Sequence, residues 1–200
     1  VSRVIAGTHR GRRLQTPTGD STRPTTDRVR EALFSALASW AGTASAGAEE
    51  ALAGLSFLDL YAGSGAVGLE AASRGAAPVL LVESDARTAA VARRNVATLG
   101  VPATVRATAV QTLARTAADR AYDVVFADPP YAVEPDRLDA VVADLLAQGW
   151  VAPDGLVVLE RSTRSVAPVW PPGTDEPWSR AYGETVLHFA SVAAQPRSPA

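Results

Sequence analysis

From Leu55 onward the chain alternates short apolar runs with longer stretches of helical period. LSFLDLY, PVLLVES, ATVRAT, YDVVFAD and GLVVLER are rich in Val and Leu and read as buried strands. Between them, residues near 65–74, 86–98, 110–118 and 135–148 read as helices. β-α repeats of this length predict a parallel sheet with helices on both faces. Toward the C-terminus, SRAYGETVLHFAS predicts an antiparallel hairpin turning at Tyr182-Gly183, and AAQPRSPA a frayed tail. Upstream, the first fifteen residues alternate loosely and turn at THRGRR, which predicts a short hairpin. In STRPTTDRVREALFSALASW, Thr26 or Asp27 can cap a helix whose apolar positions are Val29, Leu33, Phe34, Leu37 and Trp40. The low-complexity segment AGTASAGAEEALAG reads as a surface linker.

Composition narrows the class. A chain of 200 residues, 47% hydrophobic and 20% charged, is globular and can bury a sizeable core in one domain. Its apolar runs are too short to span a bilayer, and VSRVIAGTHRGRR lacks a signal-peptide core, so a cytoplasmic protein without membrane contact is expected. Cysteine is absent, which excludes disulfides, cysteine-ligated zinc and a thiol nucleophile. All 19 basic residues are arginine. Residues 1–30 hold seven of them, Arg3, Arg10, Arg12, Arg13, Arg23, Arg28 and Arg30, against Asp20 and Asp27. That balance of +5, within a chain of net charge -2, leaves -7 on the remainder. A basic arm on an acidic body calls for an anionic partner, whereas scattered arginines would be a solvated surface. The expected organisation is an arm and linker over 1–50, a main domain over 51–192 and a disordered tail over 193–200.

The first predicted strand runs into FLDLYAGSGAVGLEA, where Gly63, Gly65 and Gly68 form a G-x-G-x-x-G array ahead of a helix. Glycines permit a tight turn and close backbone approach to a ligand. Asp59, four residues before the first glycine, would repel a pyrophosphate but can accept from an ammonium group. Glu83 ends the second strand, where a carboxylate can grip ribose hydroxyls. Glu83 alone suits a nicotinamide dinucleotide equally well. Asp59 turns the choice toward S-adenosylmethionine, which offers an ammonium and no phosphate. Either acid could instead cap a helix.

The fourth strand ends in FADPPY. Ligands of open α/β sheets bind beyond the carboxyl ends of the strands. Two prolines make the turn stiff and fix its carbonyls. The Asp128 carboxylate and the Pro129 carbonyl can then hold the two hydrogens of a nucleobase amine while positive charge develops on its nitrogen. Tyr131 can stack on the base.

With these residues in view, the sequence resembles class I S-adenosylmethionine-dependent methyltransferases carrying an amino-methylating Asp-Pro-Pro-Tyr motif. More closely, it is similar to the bacterial 16S rRNA guanine-N2 methyltransferase family. VIAGTHRGRRLQTP, RPTTDRVREALFSAL, FLDLYAGSGAVGLEAASRGA, LVESD, FADPPY and YGETVLHF carry the likeness along nearly the whole chain. The resemblance implies a Rossmann-like, seven-stranded, mostly parallel sheet flanked by helices and preceded by an N-terminal hairpin and helix. It places Asp59, Ala62, Gly63 and Gly65 around the methionine part of S-adenosylmethionine and Glu83 with Ser84 at the ribose. Asp128, Pro129, Pro130 and Tyr131 fall on the target base. Thr108 stands where relatives commonly carry an acid for the adenine amine, which leaves the Ala109 backbone for that contact. The resemblance further implies 16S rRNA as substrate, within a small-subunit assembly particle, and a monomer acting without a metal is expected. Arg3, Arg10, Arg12, Arg13, Arg23 and Arg28 become phosphate contacts, with His9 beside them, and His188 a structural residue.

Three other readings share parts of the pattern. A DNA amino-methyltransferase would use the same motif, but the chain has no evident target-recognition domain. An NAD(P) oxidoreductase would use Glu83 and has no use for Asp128-Pro-Pro-Tyr. A non-catalytic RNA-binding module would use the arm alone.

Overall fold

The alternation at the N-terminus produces a hairpin with a long turn. Ser2–Arg3 (β1) and Arg13–Leu14 (β2) pair antiparallel, with Ser2 opposite Leu14. The turn closes through Val4 N–H to the Arg12 carbonyl and Gly11 N–H to the Val4 carbonyl. This computed structural model describes residues 2–17 and 26–193. Arg23 and residues 194–200, where most of the tail was expected, lie outside the described residues. The described chain divides into two compact units, Val1–Val110 and Gln111–Ala200.

In the first unit, helix α1 (Asp27–Trp40) begins where the pattern predicts, capped by the Thr26 hydroxyl, which accepts from Val29 N–H at 3.3 Å. Val29, Leu33, Phe34 and Leu37 are buried, and Trp40 is half-buried. The Phe34 ring stacks on Phe57 of β3 (Phe57–Leu60), their centroids 6.3 Å apart. Residues 41–50 lie mostly on the surface, as a linker would. Ala51 and Leu52 are buried, with Leu52 N–H donating to the Arg74 carbonyl, so the end of that segment belongs to the core. Helix α2 (Ala66–Ser73), β4 (Val79–Glu83), α3 (Ala86–Leu99) and β5 (Ala103–Ala107) complete the β-α alternation. β3 and β5 both pair with β4 in parallel. β3 and β4 are buried along their length except for Glu83. β5 is half-buried to exposed rather than buried, because it lies at a sheet edge with β4 as its neighbour.

The second unit begins within the short helix α4 (Val110–Ala114), which ends earlier than its pattern implies. β6 (Tyr122–Ala127), α5 (Pro135–Ala147) and the long β7 (Val151–Ser162) form a parallel β-α-β unit. β8 (Thr174–Tyr182) and β9 (Thr185–Val192) are the expected antiparallel hairpin, its two turn residues being Gly183 and Glu184. Gly183, at φ 63°, supplies the left-handed backbone this tight turn needs. β9 pairs antiparallel with β7. The edge strand β8 accommodates Pro177 at a bulge between Asp175 and Trp178, where the chain needs no ladder donor. The strand order is β5-β4-β3-β6-β7-β9-β8, seven strands in all and mostly parallel. No helix of the described residues is long and apolar enough to cross a membrane.

Candidate active site

The glycine loop is held by hydrogen bonds at Ala62, Gly63, Ser64 and Gly65. After β3 the backbone of Tyr61 turns to φ 58°, an unfavourable conformation for a large side chain of the kind found where a site dictates the backbone. Ala62 N–H donates to the Val82 carbonyl, and Gly65 N–H to the Ala62 carbonyl. Gly63, at φ 56°, donates its N–H to Glu83 Oε2 at 2.9 Å. The Ser64 carbonyl accepts from Asn95 Nδ2 at 2.9 Å. Gly65 (φ 86°) is the N-cap of α2.

The three glycines have different reasons. A Cβ on Gly68 would come within 2.2 Å of Leu81, and one on Gly65 within 2.9 Å of the same side chain. These two allow α2 to sit close on β4. A Cβ on Gly63 would meet nothing within 4 Å, so the loop faces open space there.

Asp59 lies behind this loop, 2% exposed, its Oδ2 accepting from Gly68 N–H at 2.8 Å. It braces the first turn of α2, as one of the two sequence readings allowed. Glu83, at the tip of β4, is half-buried. Besides Gly63 N–H, it accepts Asp85 N–H on Oε1 at 2.8 Å, and the Ser84 hydroxyl lies 3.5 Å from the same oxygen. These donors fix the carboxylate's direction and leave lone pairs on both oxygens. Asp85, not Glu83, caps α3: it accepts Thr88 N–H, and that bond holds its carboxyl below the usual range. Thr108 N–H donates to the Glu83 carbonyl, so half-buried Ala109 follows directly on the tip of β4. An open-faced glycine turn beside an oriented, partly exposed carboxylate suits an adenosyl amino acid. Among the described residues no group of three or more His, Asp or Glu is placed to hold a metal ion.

At the end of β6, Asp128 is half-buried, Pro129 buried and Pro130 exposed. The Pro130 carbonyl accepts Val133 N–H at 2.9 Å, closing a turn that presents Tyr131 80% exposed. Arg161, from β7, donates to the Val133 carbonyl at 3.3 Å and steadies the far side of that turn. His188 on β9 has its pKa lowered by burial and by Arg161, consistent with a neutral structural role.

The arm is docked by residues that the sequence pattern left unremarked. Glu70 of α2 is fully buried and accepts Ile5 N–H at 2.7 Å, Ala6 N–H at 2.9 Å and Arg74 Nε at 2.8 Å. Ser73 receives His9 N–H on its hydroxyl and Thr8 N–H on its carbonyl, and donates to the Ala6 carbonyl. Gly7 crosses α2 so closely that a Cβ there would lie 1.9 Å from the Ser73 carbonyl oxygen. A carboxylate and a hydroxyl at i, i+3 in an otherwise apolar helix were the available signal. Arg3, Arg10, Arg12, Arg13 and Arg28 are exposed. A surface depression of about 480 Å³ is lined by Arg3, Gly11, Arg13 and Asp27. Arg30, the one arginine of residues 1–30 outside the expected phosphate-contacting set, is buried. It is 1% exposed, donating to the Arg3 carbonyl at 2.7 Å and to Asp27 at 2.9 Å, and burial lowers its pKa. It holds α1 to the hairpin.

Counted from β3, the strand order reads 3-2-1-4-5-7-6, with the last strand antiparallel to its neighbours. That is the sheet of the class I methyltransferases, and the chain is an S-adenosylmethionine-dependent enzyme of this class. Residues 2–191 match the family described as Conserved hypothetical protein 95. The chain is 35% identical over 195 residues to Ribosomal RNA small subunit methyltransferase D of Escherichia coli strain K12, covering 96% of this chain and 85% of that one. It therefore belongs to the Conserved hypothetical protein 95 family, together with the small-subunit ribosomal RNA methyltransferases D. The solved structure of yhhF from Escherichia coli, a candidate methyltransferase, superposes with a TM-score of 0.81 at 30% identity, over 97% of this chain and 99% of that one. A hypothetical protein from Thermus thermophilus gives a TM-score of 0.75 at 34% identity, over 97% and 100%.

Proposed function

We propose that this enzyme methylates the exocyclic 2-amino group of a flipped guanine in 16S rRNA, using S-adenosylmethionine. The observation that carries the reading is the Asp128-Pro129-Pro130-Tyr131 turn, stiff and with its aromatic ring in solvent, in a chain whose relatives are named for small-subunit ribosomal RNA. The bound cofactor supplies an electrophilic methyl group on a sulfonium. The chain's own residues have three tasks. Gly63, with Ala62 and Gly65, gives the amino acid portion an open backbone turn to lie against. Asp59 contributes negative charge from behind that turn. Glu83 receives the ribose hydroxyls on its remaining lone pairs, Ser84 lies beside it, and the Ala109 backbone faces the adenine.

At the base, the Asp128 carboxylate and the Pro129 carbonyl accept the two amine hydrogens. They hold the nitrogen so that its lone pair leaves conjugation with the ring, and they stabilise the positive charge that grows there. Pro130 keeps the turn rigid, and Tyr131 stacks on the flipped base. Arg3, Arg10, Arg12, Arg13, Arg23 and Arg28 contact phosphates of the surrounding RNA. The arm over 1–50 thus serves the substrate, and the domain over 51–192 the chemistry. A monomer working in the cytoplasm on a small-subunit assembly particle fits this division.

The test is mass spectrometry of 16S rRNA nucleosides from a strain lacking the gene, followed by treatment of its 30S particles with the purified enzyme and labelled cofactor. N2-methylguanosine missing from the strain and restored in vitro is the expected result. Label on DNA, or on a different nucleoside, would overturn the reading.

A further inference from the structure

One buried side chain touches both halves of the proposed machinery. Asn95 of α3 is 2% exposed, with its amide lying between the segment that leaves the arm and the glycine loop. Its Oδ1 accepts Gln15 N–H at 2.8 Å. Its two Nδ2 hydrogens go in different directions, one to the Gln15 carbonyl at 3.0 Å and one to the Ser64 carbonyl at 2.9 Å. Two carbonyls and one N–H around the amide permit a single orientation of oxygen and nitrogen. The Ser64 carbonyl belongs to the Ser64–Gly65 peptide, whose N–H donates to the Ala62 carbonyl at 2.8 Å, so Asn95 supplies the second anchor of a peptide flanked by glycines with positive φ. Arg94 adds an outer contact to the same arm residue, Nε to Gln15 Oε1 at 3.1 Å.

We propose that Asn95 is a positioning residue that couples the RNA-binding arm to the cofactor loop, so that RNA and cofactor bind cooperatively. This rests on the reading of the arm and loop given above. RNA that grips the docked arm holds Gln15 in place, Gln15 holds the Asn95 amide, and the amide anchors the carbonyl of the Ser64–Gly65 peptide beside which the cofactor lies. Linkage requires the effect to be reciprocal: cofactor must tighten RNA binding by the same factor. The direct physical element is a hydrogen-bonded chain of three residues with no exposed link at its centre.

Equilibrium dialysis of tritiated S-adenosylhomocysteine, with and without saturating unmethylated 30S particles, measures the coupling. The wild type is expected to bind the nucleoside about 5-fold or more tightly in the presence of the particle. In Asn95→Ala and Asn95→Asp that ratio is expected to fall to near one. Asp retains the acceptor for Gln15 N–H but loses both donors. A merely structural Asn95 would weaken binding equally with and without the particle and leave the ratio unchanged, which would overturn the proposal. A wild-type ratio of one would also overturn it, whether or not the variants fold. Failure of the wild type to bind S-adenosylhomocysteine at all would instead count against the cofactor reading.

Discussion

Asp128 and Tyr131 adjoin the same two prolines yet differ in what their loss should do. Tyr131 is 80% exposed, so removing its ring costs the fold little and should cost base capture about 1–3 kcal/mol. Tyr131→Phe keeps the ring and should be mild. Asp128→Ala should leave cofactor affinity intact and slow methyl transfer on the order of 100-fold or more, the scale for removing one preorganised partner. Single-turnover assays on unmethylated 30S particles at saturating cofactor separate the three variants; normal transfer by Asp128→Ala would remove the amine-clamp mechanism. The two acids of the cofactor loop should also part company. Glu83→Ala removes an oriented, half-buried acceptor and should weaken S-adenosylmethionine binding by about 1.5–3 kcal/mol with a modest change in melting temperature. Asp59→Ala strands the buried Gly68 N–H and should additionally destabilise the protein by about 1–3 kcal/mol. Calorimetry and urea unfolding on the pair decide this. These residues could be singled out in the sequence because glycine arrays and strand-end acids are local patterns. Their division of labour was not: whether Asp59 faces a ligand or a helix N-terminus depends on where α2 packs, which no local pattern contains.

At the scale of elements, α2 does more than follow the glycine loop. One of its ends is the loop, and its middle and last turn carry the arm through Glu70 and Ser73. Glu70→Ala would leave Arg74, which also lies over the Phe34 ring at 4.7 Å, as a buried unpaired cation, and two arm N–H groups without acceptors. Breaking such a pair costs about 3–5 kcal/mol, and urea denaturation should show a loss of that size. Gly7→Ala tests the same docking from the other side: with φ 80° and 1.9 Å to the Ser73 oxygen, the methyl should lift the arm off α2 and raise hydrogen exchange at Ile5 and Ala6. A Gly7→Ala protein with unchanged exchange there would argue that the arm is held elsewhere. The elements themselves were readable because the Val- and Leu-rich runs of β3, β4, β6 and β7 carry their burial in composition. β5 misled because its strand pattern suggested burial although it carries Thr104 and Arg106, and an edge position is a property of the sheet. Glu70 and Asn95 were missed because each is polar at a helix position whose neighbours set the expectation, and their partners lie 64 to 80 residues away along the chain.

For the whole molecule, the governing feature is an uneven net charge, +5 over residues 1–30 against -7 over the remainder. Deleting the arm is a poor test of its role, because removing residues 1–15 would strip Glu70 and Asn95 of buried partners and confound binding with unfolding. Arg10, Arg12 and Arg13 are exposed, so replacing all three by Ala removes charge without touching that docking. The net charge would move from -2 to -5, and an acidic body would face the RNA with less to offset it. Each phosphate of single-stranded RNA that the protein ceases to neutralise lowers the slope of log affinity against log salt by about 0.7, so three should lower it by about 2. Filter binding to unmethylated 16S rRNA across a salt series reads that slope, and urea unfolding of the triple variant should match the wild type. If stability holds and the slope is unchanged, the arginines are solvated surface and the RNA is held by other residues. If the slope falls as expected while the affinity for S-adenosylhomocysteine alone is untouched, the arm's charge serves substrate capture, and its backbone, through Asn95 and Glu70, serves the architecture of the site.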